Sequence, residues 1–306
     1  MDMTNEKYKG IFTALVTPMH ENGEIDGNAL ERLVEHQIAL GVNGLYVGGS
    51  TGEGLMLTVE ERQSILETVV KRNAGRVSVI AHIGQISTQE SIRLARHAEA
   101  LGVDAISAVA PFYYKLSRDD IKRHYLSIMD AVASPMIVYH FPANTGVSLP
   151  PDFYGQLAQH SHMLGVKFTS YNLYELEQIR AGCGEGFIIM NGHDEVYAGA
   201  AVMGATGAIG STFNIQLPLF RDMQQHIRHE RWSEVGRLQA KANAIIAHML
   251  QYDVIAYEKY MLFLQGVIPC AKVRQPLHQL AASDQAAIRQ FYDNNETLQQ
   301  SGLRAE

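Results

Sequence analysis

The sequence predicts an α/β fold: a (β/α)8 TIM barrel carrying a C-terminal helical appendage of about three helices. Three observations lead there. Short β-branched apolar runs recur along most of the chain, amphipathic segments with helix-start signals separate them, and the strand signal stops after Asn214 while helical periodicity continues.

The strand candidates are Ile11 to Val16, Gly44 to Gly48, Val77 to Ile83 and Ala105 to Ala110, then Met136 to Phe141, Leu164 to Thr169, Phe187 to Met190 and Ala208 to Ser211. Most are near-continuous apolar runs, as expected of parallel strands covered on both faces. Between them, Leu30, Leu33, Val34 and Ile38 place an apolar stripe on the first helix. Thr58 with Glu61 and Ser87 with Glu90 read as capping boxes, and Ser117 with Asp120 as an acidic variant. Strands each followed by a helix give the barrel, with a doubly wound sheet as the alternative if the strand count is off. Pro218 to His229, Trp232 to Leu250, Tyr252 to Leu264 and Ser283 to Glu296 read as helices. The expected division is a barrel over residues 1–230 and a helical extension over 231–306 packed on it, with a frayed tail from Ser301 to Glu306.

Composition narrows the function classes. With 306 residues, 46% of them hydrophobic, the chain can bury a large core. A net charge of -7 and a pI near 6.0 argue against nucleic acid or an anionic membrane surface as partner. No apolar run is long enough to span a membrane, and Met1 to Lys7 lack an apolar signal region, so a cytoplasmic protein is expected. Cys183 and Cys270 are too few for a disulfide framework or a zinc site, and the 13 histidines lack metal-ligand spacing.

One lysine interrupts the apolar run Met163-Leu164-Gly165-Val166-Lys167-Phe168-Thr169-Ser170. Strand alternation puts Gly165, Lys167 and Thr169 on one face and Val166 and Phe168 on the other. An ammonium on a buried face is costly unless it is paired or loses its proton, and a neutral amine there can attack a carbonyl to form a Schiff base. The competing reading is a surface lysine on an edge strand.

Active sites of such barrels lie at the C-terminal ends of the strands. Strand two ends Gly48-Gly49-Ser50-Thr51-Gly52-Glu53, whose amides and hydroxyls can hold a carboxylate. The same residues match the nucleophile elbow of serine hydrolases, but Leu55-Met56-Leu57 stands where the elbow needs a helix. Strand five offers Tyr139, placed to stand near Lys167, where its phenol can shuttle a proton; taken alone it reads as a core aromatic. Strand seven offers Gly192-His193-Asp194-Glu195, whose acids can bind sugar hydroxyls or serve as helix N-terminal charges. A metal site from His193, Asp194 and Glu195 is disfavoured, since adjacent residues on one turn rarely converge on an ion. Strand eight is Gly-rich from Gly207 to Asn214.

With these pieces assembled, the chain resembles the N-acetylneuraminate lyase and dihydrodipicolinate synthase family of class I aldolases over nearly its whole length. The resemblance rests on Gly48 to Glu53, Pro111-Phe112-Tyr113-Tyr114, Tyr139 with Pro142 and Gly146, Gly165 to Thr169, and Gly207 to Asn214. It implies that Lys167 forms an imine with the keto carbon of pyruvate, without a cofactor or metal, and that Tyr139 shuttles protons. It implies that Ser50 and Thr51 hold the pyruvate carboxylate, and that Thr169, Gly192, Asp194, Glu195 and Ser211 face the aldehyde sugar. Tyr113 resembles a tyrosine lent across a subunit interface in a homotetramer. Ser50-Thr51, the Gly-His-Asp-Glu stretch and Gly-Ser-Thr-Phe-Asn resemble the sialic acid lyase branch. The dipicolinate-forming branch carries Thr-Thr at Ser50-Thr51 and an arginine near Asn144. His140, Asn144 and His193 depart from the usual pattern, at positions able to re-aim the pocket toward another sugar acid. Other 2-keto-3-deoxy sugar acid aldolases, dihydrodipicolinate synthase and a non-catalytic sugar-acid-binding regulator stand as alternatives.

Overall fold

The computed structural model describes residues 3–302. Strands β1 (Gly10–Ala14), β2 (Gly44–Val47), β3 (Ser78–His82), β4 (Ala105–Val109), β5 (Met136–His140), β6 (Met163–Phe168), β7 (Ile188–Asn191) and β8 (Gly207–Gly210) close into a barrel in sequence order. Every one of the expected strands is present, within two residues of its expected ends. Nearly every strand residue is buried, so both faces are covered, which is why the strands read as apolar runs rather than alternating ones.

Thirteen α-helices occur among the described residues. The first eight are α1 (Gly27–Ala39), α2 (Val59–Asn73), α3 (Thr88–Ala100), α4 (Arg118–Ala131), α5 (Pro142–Thr145), α6 (Pro151–Leu157), α7 (Leu173–Cys183) and α8 (Tyr197–Val202). After β8 come α9 (Phe213–Arg228), α10 (Trp232–Met249), α11 (Val254–Leu264), α12 (Ala282–Asp293) and the short α13 (Glu296–Gln300). By its contacts the chain groups into two compact units, Met1–Phe12 with Ser78–Gly210, and Thr13–Val77 with Ser211–Glu306.

In the first unit β3 to β8 pair in parallel, each with its successor. Helix α4 starts with the expected box, Ser117 Oγ accepting from Asp120 N while Asp120 accepts from Ser117 N. Ser87 corrects the reading made for α3: it is the N-cap, but its side chain makes no capping bond. The entry loop is instead tied by Ser91, whose Oγ accepts from Gln85 N at 3.0 Å, and Glu90 turns to Arg93.

In the second unit α1 is capped by Asp26 and α2 by the Thr58–Glu61 box. Leu30, Leu33 and Val34 are buried as expected, but the stripe continues through His36 and Gln37, and Ile38 is only half-buried. Gln37 belongs inside because Thr13 Oγ1 donates to it at 2.8 Å and it donates to Asn214 O at 3.1 Å. Helix α9 begins at Phe213, earlier than Pro218 implied. Amides of Ile215 and Gln216 bond back to Thr212 O, giving one turn before a kink at Gln216, and Pro218 then sits where no amide donor is needed. Asp253 caps α11 and so starts it later than Tyr252. Ser301 is buried, its Oγ donating to Thr297 O at 2.9 Å, so the expected fraying does not reach it; residues 303–306 lie outside the described residues.

Candidate active site

Two strand ends of the first unit bring the key pair together. Tyr139 and Lys167 are each penultimate in their strands, are register partners, and are 4% and 5% exposed. The Lys167 Nζ lies 4.1 Å from the centre of the Tyr139 ring. A register shift makes this possible. Met136 pairs with Met163 but Ile137 pairs with Gly165, so Leu164 is an extra residue in β6. Without it Lys167 would stand opposite His140, because one residue of slip exchanges the faces of every side chain beyond it.

The same alternation corrects the expectation for His140. It pairs with Phe168, stacks on that ring with centres 5.0 Å apart, and its Nδ1 lies 2.8 Å from the Tyr154 hydroxyl. It therefore faces α6, on the side of β5 opposite Tyr139 and Lys167, and does not shape their pocket. Burial pushes its imidazole down to about 4.

Thr169 and Gly192 continue the strands. Thr169 N donates to His140 O and Gly192 N to Phe168 O, both at 2.8 Å. A Cβ on Gly192 would fall 1.8 Å from Thr169 Oγ1, so only glycine allows this approach. The Thr169 hydroxyl is buried with no hydrogen-bond partner, which leaves it available to a substrate. Asn191 Nδ2 donates to His193 O at 2.7 Å and shapes the turn into a 3-10 segment, Asp194–Val196. Asp194 is buried against β8: a Cβ on Gly210 would fall 1.9 Å from its Oδ1.

A row of rings runs outward from this pair. Tyr139 stacks on Phe141 with centres 5.7 Å apart, Phe141 meets His193 edge-on at 6.1 Å, and His193 stacks on Tyr171 at 4.0 Å. His82 meets Tyr139 edge-on at 6.0 Å. Burial lowers the His193 imidazole below its ordinary range, Glu195 opposing and Lys167 adding to the shift. Sequence reasoning missed Tyr171, Phe141 and His82; an aromatic two residues beyond Thr169 was the available signal for Tyr171. Asn144 is exposed on α5. Tyr113 stands apart on the β4–α4 loop, 74% exposed and edge-on to Tyr114. It lines a cavity of about 460 Å³ with Arg118, Thr145 and Leu149.

In the second unit Ser50 and Thr51 follow β2 in a tight turn, Ser50 exposed and Thr51 half-buried. Glu53 N donates to Ser50 O at 3.0 Å, and Thr17 Oγ1 donates to Gly52 O at 2.7 Å. Glu53 itself is left-handed, φ 59°, an uncommon state for a residue with a side chain. Its buried carboxylate forms an ion pair with Lys259 of α11 and accepts from Arg274 N at 2.6 Å. Burial pushes the Lys259 ammonium below its ordinary range, with Glu53 working against that shift. Only a 3-10 turn, Gly54–Met56, precedes α2 at Val59, so no α-helix follows Ser50 directly and the nucleophile-elbow geometry is absent. Ser211 follows β8, its carbonyl accepting from Asn214 Nδ2 at 2.7 Å. Among the described residues no three His, Cys, Asp or Glu side chains are placed to hold a metal ion, and no helix is long and apolar enough to cross a membrane.

Fold and site define the class: a (β/α)8-barrel protein with its polar groups at the C-terminal ends of the strands. The sequence pattern of the dihydrodipicolinate synthetase family matches residues 7–294. The chain is 39% identical over 284 residues to an N-acetylneuraminate lyase of Rhizobium meliloti (strain 1021), covering 93% of this chain and 94% of that protein. A crystal structure of CdNal from Clostridium difficile in complex with mannosamine superposes with a TM-score of 0.91 at 35% identity, covering 96% of this chain and 99% of the other. A sialic acid aldolase of Ruminococcus gnavus with its catalytic lysine mutated gives a TM-score of 0.92 at 30% identity, covering 97% of each chain. The chain belongs to the dihydrodipicolinate synthetase family.

Proposed function

We propose that this protein is a carbon–carbon lyase of the class I aldolase type that reversibly cleaves N-acetylneuraminate to pyruvate and N-acetylmannosamine. The observation that carries the reading is the buried pair of Lys167 and Tyr139 on adjacent strands. The Lys167 amine adds to the keto carbon of the substrate, water leaves, and a protonated imine forms. The ring face of Tyr139 favours a cation at that place, and the iminium is one. Tyr139 takes the proton of the C4 hydroxyl. That oxygen becomes the aldehyde carbonyl, and the electrons of the breaking C3–C4 bond move into the iminium to give an enamine. Protonation at C3 and addition of water release pyruvate and restore the amine.

Family membership supports the remaining roles. Ser50 and Thr51 take the carboxylate of the pyruvate half, and Thr169, Gly192, Asp194, Glu195 and Ser211 face the aldehyde half. The buried, unpartnered Thr169 hydroxyl supports its part in this. No cofactor takes part, because the imine supplies the electron sink. Tyr113, exposed in the single chain, is lent across an interface in a homotetramer working in the cytoplasm. The division into a barrel over 1–230 and a helical extension over 231–306 belongs to the same proposal.

Lactate dehydrogenase coupled to pyruvate release tests the substrate. N-acetylneuraminate is expected to give pyruvate with a higher kcat/KM than other 2-keto-3-deoxy sugar acids or 4-hydroxy-2-oxoglutarate. No pyruvate from N-acetylneuraminate, with turnover of another 2-keto acid, overturns the substrate and leaves the class.

A further inference from the structure

We propose, resting on the aldolase reading above, that Tyr171 is a positioning residue that fixes Glu195 and thereby sets which aldehyde half is accepted. Tyr171 lies on the β6–α7 loop, 60% exposed, yet its side chain is held at two points. Its hydroxyl donates to Glu195 Oε1 at 2.7 Å, and its ring lies parallel to His193, 4.0 Å between centres and 10° between planes. The same Glu195 oxygen is 3.7 Å from His193 Nδ1, too far for a hydrogen bond. Tyr171 thus supplies a close donor to this carboxylate and ties the two loops together. Partial burial and the Glu195 carboxylate push the phenol up to about 12, so it stays a donor at neutral pH.

Positions follow from this arrangement. One Glu195 oxygen is taken by the Tyr171 hydroxyl, and that bond fixes how the carboxylate is presented to hydroxyl groups. The stacked His193 links it through Phe141 to the Tyr139 ring, so the wall of the aldehyde side is continuous from the proton shuttle to Tyr171. An aldehyde rich in hydroxyls depends on that orientation; one without hydroxyls does not.

The test compares wild type with Tyr171→Phe, which keeps the ring and removes only the donor. In the synthesis direction KM for N-acetylmannosamine is expected to rise about five- to tenfold, the loss of one hydrogen bond to a charged group at a part-exposed place. The kcat value, KM for acetaldehyde and the rate of borohydride trapping with pyruvate are expected to stay unchanged. Calorimetric Kd for N-acetylmannosamine is expected to weaken by the same factor without any turnover. In a Glu195→Ala background, which removes the acceptor, the Tyr171→Phe change is expected to add nothing. An unchanged Kd, or equal losses with acetaldehyde, or additive losses in the double variant, overturn the role of Tyr171. Failure of pyruvate to trap on the wild-type enzyme strikes the aldolase reading instead, and the Kd comparison still decides for Tyr171.

Discussion

Replacing Lys259 by Met leaves the Glu53 carboxylate buried without its cation. Both side chains are fully buried, and Lys259 also donates to Lys272 O at 2.7 Å, so the substitution strands two acceptors. Breaking a buried ion pair by removing one partner costs about 3–5 kcal/mol. Unfolding entropy of about 2.1 cal/mol/K per residue comes to roughly 0.6 kcal/mol/K for 306 residues, so the melting temperature is expected to fall by about 5–8 °C. The pair also holds the left-handed Glu53, which follows the Ser50-Thr51 turn by two residues, so KM for pyruvate is expected to rise with the loss of stability. Differential scanning calorimetry and steady-state kinetics on Lys259→Met, Glu53→Gln and the double variant measure both effects. The double variant, with no net charge left unpaired, is expected to regain more than half of the lost stability. A Lys259→Met protein that melts with the wild type, or a double variant that loses the sum of both single losses, refutes the coupling.

Three further outcomes are expected. Tyr139→Phe lowers kcat by about 10²–10⁴-fold, the range for a lost general acid–base group, while borohydride and pyruvate still label Lys167; full activity removes Tyr139 from the chemistry. Gly192→Ala drives a methyl into Thr169 Oγ1 and costs about 1–3 kcal/mol of overpacking, with activity falling at least tenfold and the lost stability partly restored by adding Thr169→Ala, which removes the clashing oxygen; an active single variant contradicts the tight approach. His124 and His140 are each held neutral by burial, their imidazoles lowered to about 4 from an ordinary 6.5. Because the folded values lie below the unfolded one, their contribution is full above pH 6.5 and is lost as pH falls toward 4. Denaturation followed across that window is expected to show uptake of about two protons on unfolding from these sites, and His140→Gln is expected to remove about one of them. No change in the slope for that variant contradicts the burial effect.

The barrel was legible because its strands are buried on both faces, so Ile11, Leu45, Ile80 and their counterparts stand in unbroken apolar runs. Lys167 was legible for the same reason, as a charge in such a run. Its partner was legible too, since Tyr139 falls near the end of the adjacent strand. The register that sets the two opposite each other was not: Leu164 adds a residue to β6, and a bulge leaves no compositional mark. The same blindness to register misplaced His140, which reads as pocket-lining yet packs against Tyr154. Glu53 and Lys259 lie far apart in the chain, and nothing local to either points to the other. Tyr171 was overlooked because a loop has no periodicity against which a functional ring stands out. Ser87 shows the converse case, a cap pattern in the sequence whose side chain makes no capping bond, while Ser91 ties the entry loop through Gln85 N.

The central claim is that Lys167 carries the substrate as an imine. Incubation with pyruvate and sodium borohydride, followed by peptide mass spectrometry, tests it directly. The account predicts irreversible inactivation and one reduced pyruvate adduct per chain on the peptide containing Lys167, with none formed on Lys167→Ala. Retained activity, or an adduct on another lysine such as Lys259 in place of Lys167, contradicts it.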